Sequence, residues 1–352
     1  MKKIILIISS VFLSNAAYCT DDFFIIVPAP AYMPETGFAL FVEGVYKYRP
    51  ESVSPGANPS MLQLHLAYTQ MDQSEAYLEF NGYGANNSSF LKAVLQYKKF
   101  PDRFFGIGNN VIITDDSPGQ GYLYTLETFH CLVEAHMELV SHLSAGARWH
   151  GQKSSLLSSA IHGALPGSEG GFDSGLGALL KWDDRDSVYF PVSGTYAVVS
   201  IMFFSRIFGA ERDFLKWELD ARKYFEFFKN HSVSLQALAS AEAGDAPFYL
   251  MNTLGGDKLL RGYYKGALRD KSMAAIQAEY KWVFLERFVI CAHAGIGAVE
   301  DEFLRLSTRY LRASFGLGLR FFIDEKDRIT FRLDTGFTGD DTGLYLVAGE
   351  AF

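Results

Sequence analysis

The segment RITFRLDTGF, Arg328 to Phe337, puts Ile329, Phe331 and Leu333 on one side of an extended chain and Arg328, Thr330, Arg332 and Asp334 on the other. Strand side chains point alternately to opposite faces, so this stretch has an apolar face and a charged one. The segment before it repeats the pattern: Leu311, Ala313, Phe315, Leu317 and Leu319 alternate with Arg312, Ser314, Gly316, Gly318 and Arg320. Further upstream, Ile276, Ala278, Tyr280, Trp282 and Phe284 oppose Gln277, Glu279 and Lys281. Leu215, Trp217 and Leu219 oppose Lys216, Glu218 and Asp220 in the same way.

A soluble sandwich alternates as well, so three further features decide the class. The candidate strands run about 10–16 residues, longer than most soluble strands and suited to a tilted bilayer crossing. Their polar faces carry closely spaced charges and glycines, as a water-filled lumen permits. Their apolar faces end in Tyr, Trp and Phe, as interfacial girdles do. A sheet in hydrocarbon must also close on itself, because an open edge leaves backbone groups unpaired. The expectation is an all-β, transmembrane antiparallel β-barrel.

Working outward, candidate strands fall near residues 22–33, 37–49, 60–71, 74–84, 88–100, 121–138, 141–153, 172–184, 193–206, 211–227, 230–243, 271–284, 286–299, 309–323, 326–338 and 342–352. That makes sixteen, an even number as single-chain bacterial barrels have, with fourteen as the alternative. The first carries Pro28 and Pro30, which belong at an edge or bulge. The longest connections, near 101–120, 154–171 and 244–270, are expected outside the cell, with short turns in the periplasm.

The N-terminus supports export. Lys2 and Lys3 precede an apolar run from Ile4 to Leu13, and Ala16, Ala17 and Cys19 follow. This is the layout of a signal peptide over residues 1–19, too short to span a bilayer as a helix, with the barrel over 20–352. A lipoprotein signal ending at Cys19 would need a small residue where Tyr18 stands. Aromatic residues make up 15% of the chain, and no apolar run of spanning length exists beyond the leader. With 40 acidic against 32 basic side chains, the net charge of −8 argues against a nucleic-acid partner.

Other chemistry is sparse. His130, Glu134, His136 and Glu138 share one face of the sixth candidate strand and could ligate a divalent ion, but a polar lumen wall accounts for them equally. No metal or cofactor is assigned. Cys131 and Cys291 fall on lipid-facing and inward faces respectively, so no disulfide between them is expected. The nearest stretch to a G-x-S-x-G nucleophile turn, Gly171-Phe172-Asp173-Ser174-Gly175, has the wrong spacing, and an enzyme is not expected.

Within the longest connection lies Leu260-Arg261-Gly262-Tyr263, followed by five candidate strands. Upstream, Asp183, Arg185 and Asp186 precede Pro191 and Gly194. The first group resembles the [VIL]RG[FY] motif, and the second the D-x-R-D…P-x-x-G segment, of the BamA/TamA-like superfamily, also called the bacterial surface antigen family. Phe104-Phe105-Gly106-Ile107-Gly108-Asn109 and Pro34-Glu35-Thr36-Gly37 resemble stretches of its shorter members, and of barrels fused to patatin-like phospholipases. The terminal aromatic Phe352 stands in step with Leu344, Leu346 and Ala348, although Glu350 interrupts the alternation. The resemblance covers most of 22–352 and is strongest after about residue 172.

The resemblance implies that the motif loop folds back into the lumen and that its arginine pairs with acidic residues of the inner wall. A guanidinium fork suits bidentate carboxylate pairing, and Asp334 and Glu279 lie on inward faces, so either is the expected partner of Arg261. Where the family often has an acidic residue before the glycine of the thirteenth strand, this chain has His293-Ala294-Gly295. The resemblance further implies a bacterial outer-membrane location among lipids and lipopolysaccharide, and a role in protein insertion or translocation. Unfolded outer-membrane proteins, or separate periplasmic chains, would then be partners. Family members with such roles carry periplasmic POTRA domains, and the expectation here is a short member without them, so activity carries over only loosely. A passive porin-like diffusion channel is the alternative, and a surface antigen with neither role is a third.

Overall fold

The computed structural model describes residues 22–33, 37–49, 57–109, 121–159, 165–339 and 341–352. The expected leader, and Pro34-Glu35-Thr36 of one family-like stretch, lie outside these residues. The strands are β1 (Phe23–Met33), β2 (Gly37–Tyr48), β3 (Ser60–Thr69), β4 (Ser74–Tyr83), β5 (Ser89–Phe104), β6 (Tyr122–Val140), β7 (Leu143–Ser159), β8 (Gly171–Asp183), β9 (Gly194–Phe204), β10 (Phe214–Phe228), β11 (His231–Gly244), β12 (Asn252–Leu254), β13 (Leu268–Asp270), β14 (Ser272–Phe284), β15 (Phe288–Glu300), β16 (Arg312–Asp324), β17 (Ile329–Phe337) and β18 (Thr342–Ala348). All except β12 and β13 form one sixteen-stranded antiparallel sheet in sequence order. This is the barrel, with the strand number the alternation predicts.

Alternation sets the two faces. On β16, Phe315 and Leu317 are more than 60% exposed toward lipid, whereas the inward Arg320 is fully buried. At one end of the wall, Phe227, Phe228, Trp282, Phe284, Phe288 and Phe321 meet ring to ring or through His231 as an aromatic girdle. Strands β5, β6 and β7 reach 16, 19 and 17 residues. The serines at 154, 155, 158 and 159 read as loop in sequence. They extend β7 because Tyr124–Thr128 of β6 supply a partner edge for their backbone.

The connections sort by end. The two longest connections, 105–121 and 245–271, join strands at the same end of the sheet as 160–170 and 301–311 do, and this is the extracellular end. Turns such as Ser141-His142 and Lys229-Asn230 lie at the other, with His142 and Asn230 both left-handed at φ 68°. Two longer connections also sit at this periplasmic end, 49–59 and 184–193, tied together by the Tyr189 hydroxyl donating to the Pro59 carbonyl at 2.7 Å.

β1 and β18 stand at the two ends of the sheet order, and no pairing joins them among the described residues. Pro28 and Pro30 are therefore on an edge strand, where a missing N–H leaves no ladder bond unmade. The two edges nevertheless meet near the periplasm. Val45, Met61 and Ile329 pack together with Ile25 and Ala348 against them. Lys47 Nζ lies 2.6 Å from Asp327 Oδ2 and pairs also with Asp324, while Arg49 reaches Asp327 at 3.5 Å. The barrel has a seam, clasped at one end by ions and apolar side chains.

Candidate functional site: a loop pinned in the barrel lumen

The connection 245–271 does not stand out into solvent. Its ends pair as the ribbon β12–β13, with Thr253 opposite Arg269. Leu254, Leu260 and Leu268 bury themselves against Ala275 and Val299 of the wall. The expected water-facing glycines of β15 and β17 are instead the seat of this loop. A side chain at Gly297 would meet Leu254, and one at Gly295 would meet Leu260. Gly336 lies directly under the backbone of Arg261, and a Cβ at Gly262 would come within 2.9 Å of the Gly336 carbonyl carbon. Gly262 also has φ 119°, a conformation that other residues adopt only with strain. Glycine faces glycine because two backbones touch there. A Gly336→Val variant is expected to lift the loop tip at a cost of about 1–3 kcal/mol. Limited proteolysis within 255–267 checks this, with faster cleavage in the variant.

The lift would matter because of what the tip carries. Arg261 is 1% exposed. Its Nη1 lies 2.6 Å from Asp334 Oδ2 and its Nη2 lies 2.7 Å from Glu279 Oε2. One guanidinium thus bridges the two carboxylates named from sequence, which stand on β17 and β14. The register supplies the convergence: Glu279 pairs with His293, His293 with Gly316, and Gly316 with Gly336, two residues from Asp334. His293 fills the place between them and has no carboxylate partner among the described residues. Its Nε2 lies 3.0 Å from the Thr335 carbonyl.

Sequence reasoning left out most of the surrounding charge. Arg320 joins Asp334, Glu279 at 3.2 Å and Glu350 at 3.4 Å. Arg332 lies 2.8 Å from Asp334 and 2.6 Å from Asp257 of the loop. Lys281 lies 3.0 Å from Glu350 and 3.7 Å from Glu279. Four cations thus share four carboxylates, and the cluster is neutral as a whole. Neutrality is what allows this burial, since an unmatched charge here would carry a desolvation penalty of several kcal/mol. Arg320, Arg332 and Lys281 were legible as inward residues, but nothing in a single sequence says which inward residues meet.

Glu350 reaches the cluster through a break in register. Gly349, at φ 87°, turns the chain inward after β18. Glu350, Ala351 and Phe352 then lie inside, with Phe352 only 5% exposed, although in sequence Phe352 is in step with lipid-facing Leu344 and Leu346. The last strand also holds the loop directly: the Tyr345 hydroxyl accepts the Gly262 N–H at 3.0 Å. Across the lumen, the Tyr264 hydroxyl donates to Asp102 at 2.8 Å, and Gly108 N–H donates to the Arg269 carbonyl at 2.8 Å. The family-like stretch 104–109 is therefore part of the plug.

The second family-like segment forms a compact turn at the periplasmic end. Arg185 makes a two-pronged pair with Asp183 at 2.7 and 2.8 Å, and Asp186 accepts the N–H groups of Val192 and Ser193 at 3.0 and 3.1 Å. Pro191 and Gly194 close the turn, Gly194 at φ 102° under the Asp184 carbonyl. These residues do not touch Arg261. Phe190 between them connects the two motifs: its buried ring packs edge-on against Phe322 at 5.0 Å, under Lys281 Nζ at 4.9 Å. A cavity of about 190 Å³ separates turn and loop, bordered by Arg185, Arg222 and Lys258.

The remaining candidates disperse. Glu134 pairs with Arg148 at 2.7 Å, His136 stacks on Phe90, His130 faces His150, and Glu138 accepts the His142 N–H. Among the described residues no three such side chains converge as metal ligands. Cys131 and Cys291 are both free, Cys291 within an inward cluster beside Phe190 and Phe322. Asp173 and Ser174 follow each other along β8 and so point to opposite faces, Ser174 accepting the Trp149 indole N–H at 3.2 Å.

A sixteen-stranded antiparallel sheet with an apolar outer face, a seam, and its longest loop pinned inside by a buried arginine is a β-barrel of the outer-membrane class. Residues 164–323 match the Omp85 superfamily domain. No curated protein sequence matches the chain. Among solved structures it resembles BamA from Haemophilus ducreyi lacking POTRA domains 1–3, at 11% identity and TM-score 0.57, over 94% of this chain and 69% of that one. CdiB from Acinetobacter baumannii is similar at 12% identity and TM-score 0.52, over 93% and 58% of the two chains. CdiB from Escherichia coli is similar at 10% identity and TM-score 0.56, over 96% and 63%. This chain thus spans under two thirds of either CdiB. At such identities the likeness is one of fold.

Proposed function

We propose that this barrel helps proteins enter or cross the outer membrane, with the seam between β1 and β18 as the passage through which a client strand reaches lipid. One observation carries the reading. In a sheet otherwise paired from strand to strand, the two terminal strands share no ladder among the described residues, yet their flanks are held together at one end. An unpaired strand edge is a template for another chain, and natural barrels otherwise abolish it by closure. The pinned loop fits the same role. It leans on β14 and β17 through Arg261 and on β18 through Tyr345, so its docking is coupled to the last strand of the seam. The Omp85 domain and the BamA-like fold support this class of activity. Clients would be unfolded outer-membrane proteins, delivered directly or by separate periplasmic chains, and lipids and lipopolysaccharide would surround the wall.

The test uses purified chain in lipid vesicles with an unfolded outer-membrane barrel as client. Insertion is expected to run faster than in empty vesicles. Joining Ile25→Cys to Ala348→Cys with a short bis-maleimide, in a background lacking the native thiols, should return it to the empty-vesicle rate. A large, steady single-channel current with no effect on insertion would instead establish a diffusion channel.

A further inference from the structure

The outer wall carries one recess that the function above does not use. On the lipid face of β4 to β8, small side chains fall side by side across the register: Ala76 sits one row from Leu78, Cys131 pairs with Gly151, and Gly151 with Ser174. Larger rings flank this floor. Tyr97 and Phe129 lie 4.7 Å apart on one side, and Phe172 stands beside them in register with Lys153. Trp149 lies across Gly151, held by its indole N–H on Ser174 at 3.2 Å. The result is an apolar groove of about 530 Å³, within the size range of small-molecule sites.

Its position along the strands matters. On β6 the outward residues are apolar from Phe129 to Leu139, the eleven residues a tilted crossing requires, and become polar at Glu127 and Thr125. The aromatic end of the groove is therefore at the outer-leaflet boundary, on the side of the long loops. Two cations stand at that end. Lys153 is in register with Phe129, and Lys99 lies one outward position beyond Tyr97. Neither is committed. Lys153 is 4.0 Å from Glu211 with both side chains more than half exposed, a pair of little strength. Lys99 makes no ion pair among the described residues, and the carboxylate opposite it in register, Glu127, accepts the Tyr97 hydroxyl at 2.9 Å.

We propose that this groove is a binding site for one outer-leaflet lipid, whose acyl chain lies over Cys131 and Gly151 and whose phosphorylated headgroup rests on Lys153 and Lys99. Apolar floor, aromatic boundary and unmatched cations occur in the order in which a lipid presents chain, interface and phosphate. A wall residue facing bulk lipid needs none of the three in register. The site would fix one lipid against β4–β8, away from the seam.

The chain has four tryptophans, so a Trp182→Phe, Trp217→Phe, Trp282→Phe variant leaves Trp149 as the reporter. It is reconstituted into phosphatidylcholine vesicles containing increasing fractions of dibrominated phosphatidylglycerol or dibrominated phosphatidylcholine. Half-maximal quenching of Trp149 is expected at a roughly 25-fold lower fraction of the anionic lipid, about fivefold for each of the two lysines. Lys99→Gln with Lys153→Gln should erase the difference, and Cys131→Phe should reduce quenching by both lipids. Equal curves for the two lipids, or a preference that survives the lysine substitutions, would overturn the site. If Cys131→Phe fails to give the heat-modifiable band of a folded barrel, the lysine variants, altered only on the outer face, decide the matter.

Discussion

Asp334→Ala should undock the luminal loop and destabilise the barrel more than any other single substitution of the cluster. Asp334 accepts three guanidinium groups at once: Arg261 at 2.6 Å, Arg332 at 2.8 Å, and Arg320 on its other oxygen. Removing it leaves four cations with three carboxylates in a region where all three arginines are fully or almost fully buried. Breaking a buried pair from one side costs about 3–5 kcal/mol, because the remaining charge loses both partner and water. Here the loss falls on three charges, so the upper part of that range applies. Arg261→Ala should cost less, since Arg320 still spans Glu279 and Asp334. The measurements are protease cleavage within 255–267 and the temperature at which the compact gel band is lost. Asp334→Asn keeps the volume and one acceptor but not the charge, and should fall between wild type and Ala. A loop as protected in Asp334→Ala as in wild type would refute the role given to charge balance.

Lys47→Ala is expected to loosen the seam. The ammonium group lies between Asp327 and Asp324 with only 3% of its side chain exposed, and it joins the end of β2 to the turn between β16 and β17. Without it two carboxylates lose their shared cation, with Arg49 3.5 Å from Asp327, and a loss of about 3 kcal/mol follows by the same asymmetry. Maleimide labelling of a cysteine at Ile25, which packs in the seam cluster, should become several-fold faster. Adding Asp324→Asn and Asp327→Asn to Lys47→Ala should recover much of the protection, because the unpaired charge is then gone. That recovery separates an electrostatic clasp from mere loss of packing. Because the ions are largely buried, moderate salt should change labelling far less than the substitution does.

Both expectations rest on residues that are differently visible in sequence. Lipid on one side and water or protein on the other impose a period of two on every spanning strand, which is why side-chain order alone narrows the count to sixteen strands or fourteen. The same period assigns Glu279, Lys281, Arg320, Arg332 and Asp334 to the inside. It cannot say whether the inside is filled. Glycines at 295, 297 and 336 suit a wet lumen as well as a tightly packed loop, and only the fold shows the loop lying on them. Glu350 looks like an error in an alternating strand until the turn at Gly349 carries it onto Lys281 and Arg320.

Alternation along the chain, then, determined the barrel, its two faces, a strand number of sixteen or fourteen, and the long connection that bears Arg261. The tertiary structure decided which inward charges meet, that the periplasmic turn reaches the same cluster through Phe190, and that the first and last strands approach without pairing. The division has a physical cause. A face is fixed by the solvent a residue sees, which repeats locally, whereas a partner is fixed by register between strands up to hundreds of residues apart, as with Lys47 and Asp327.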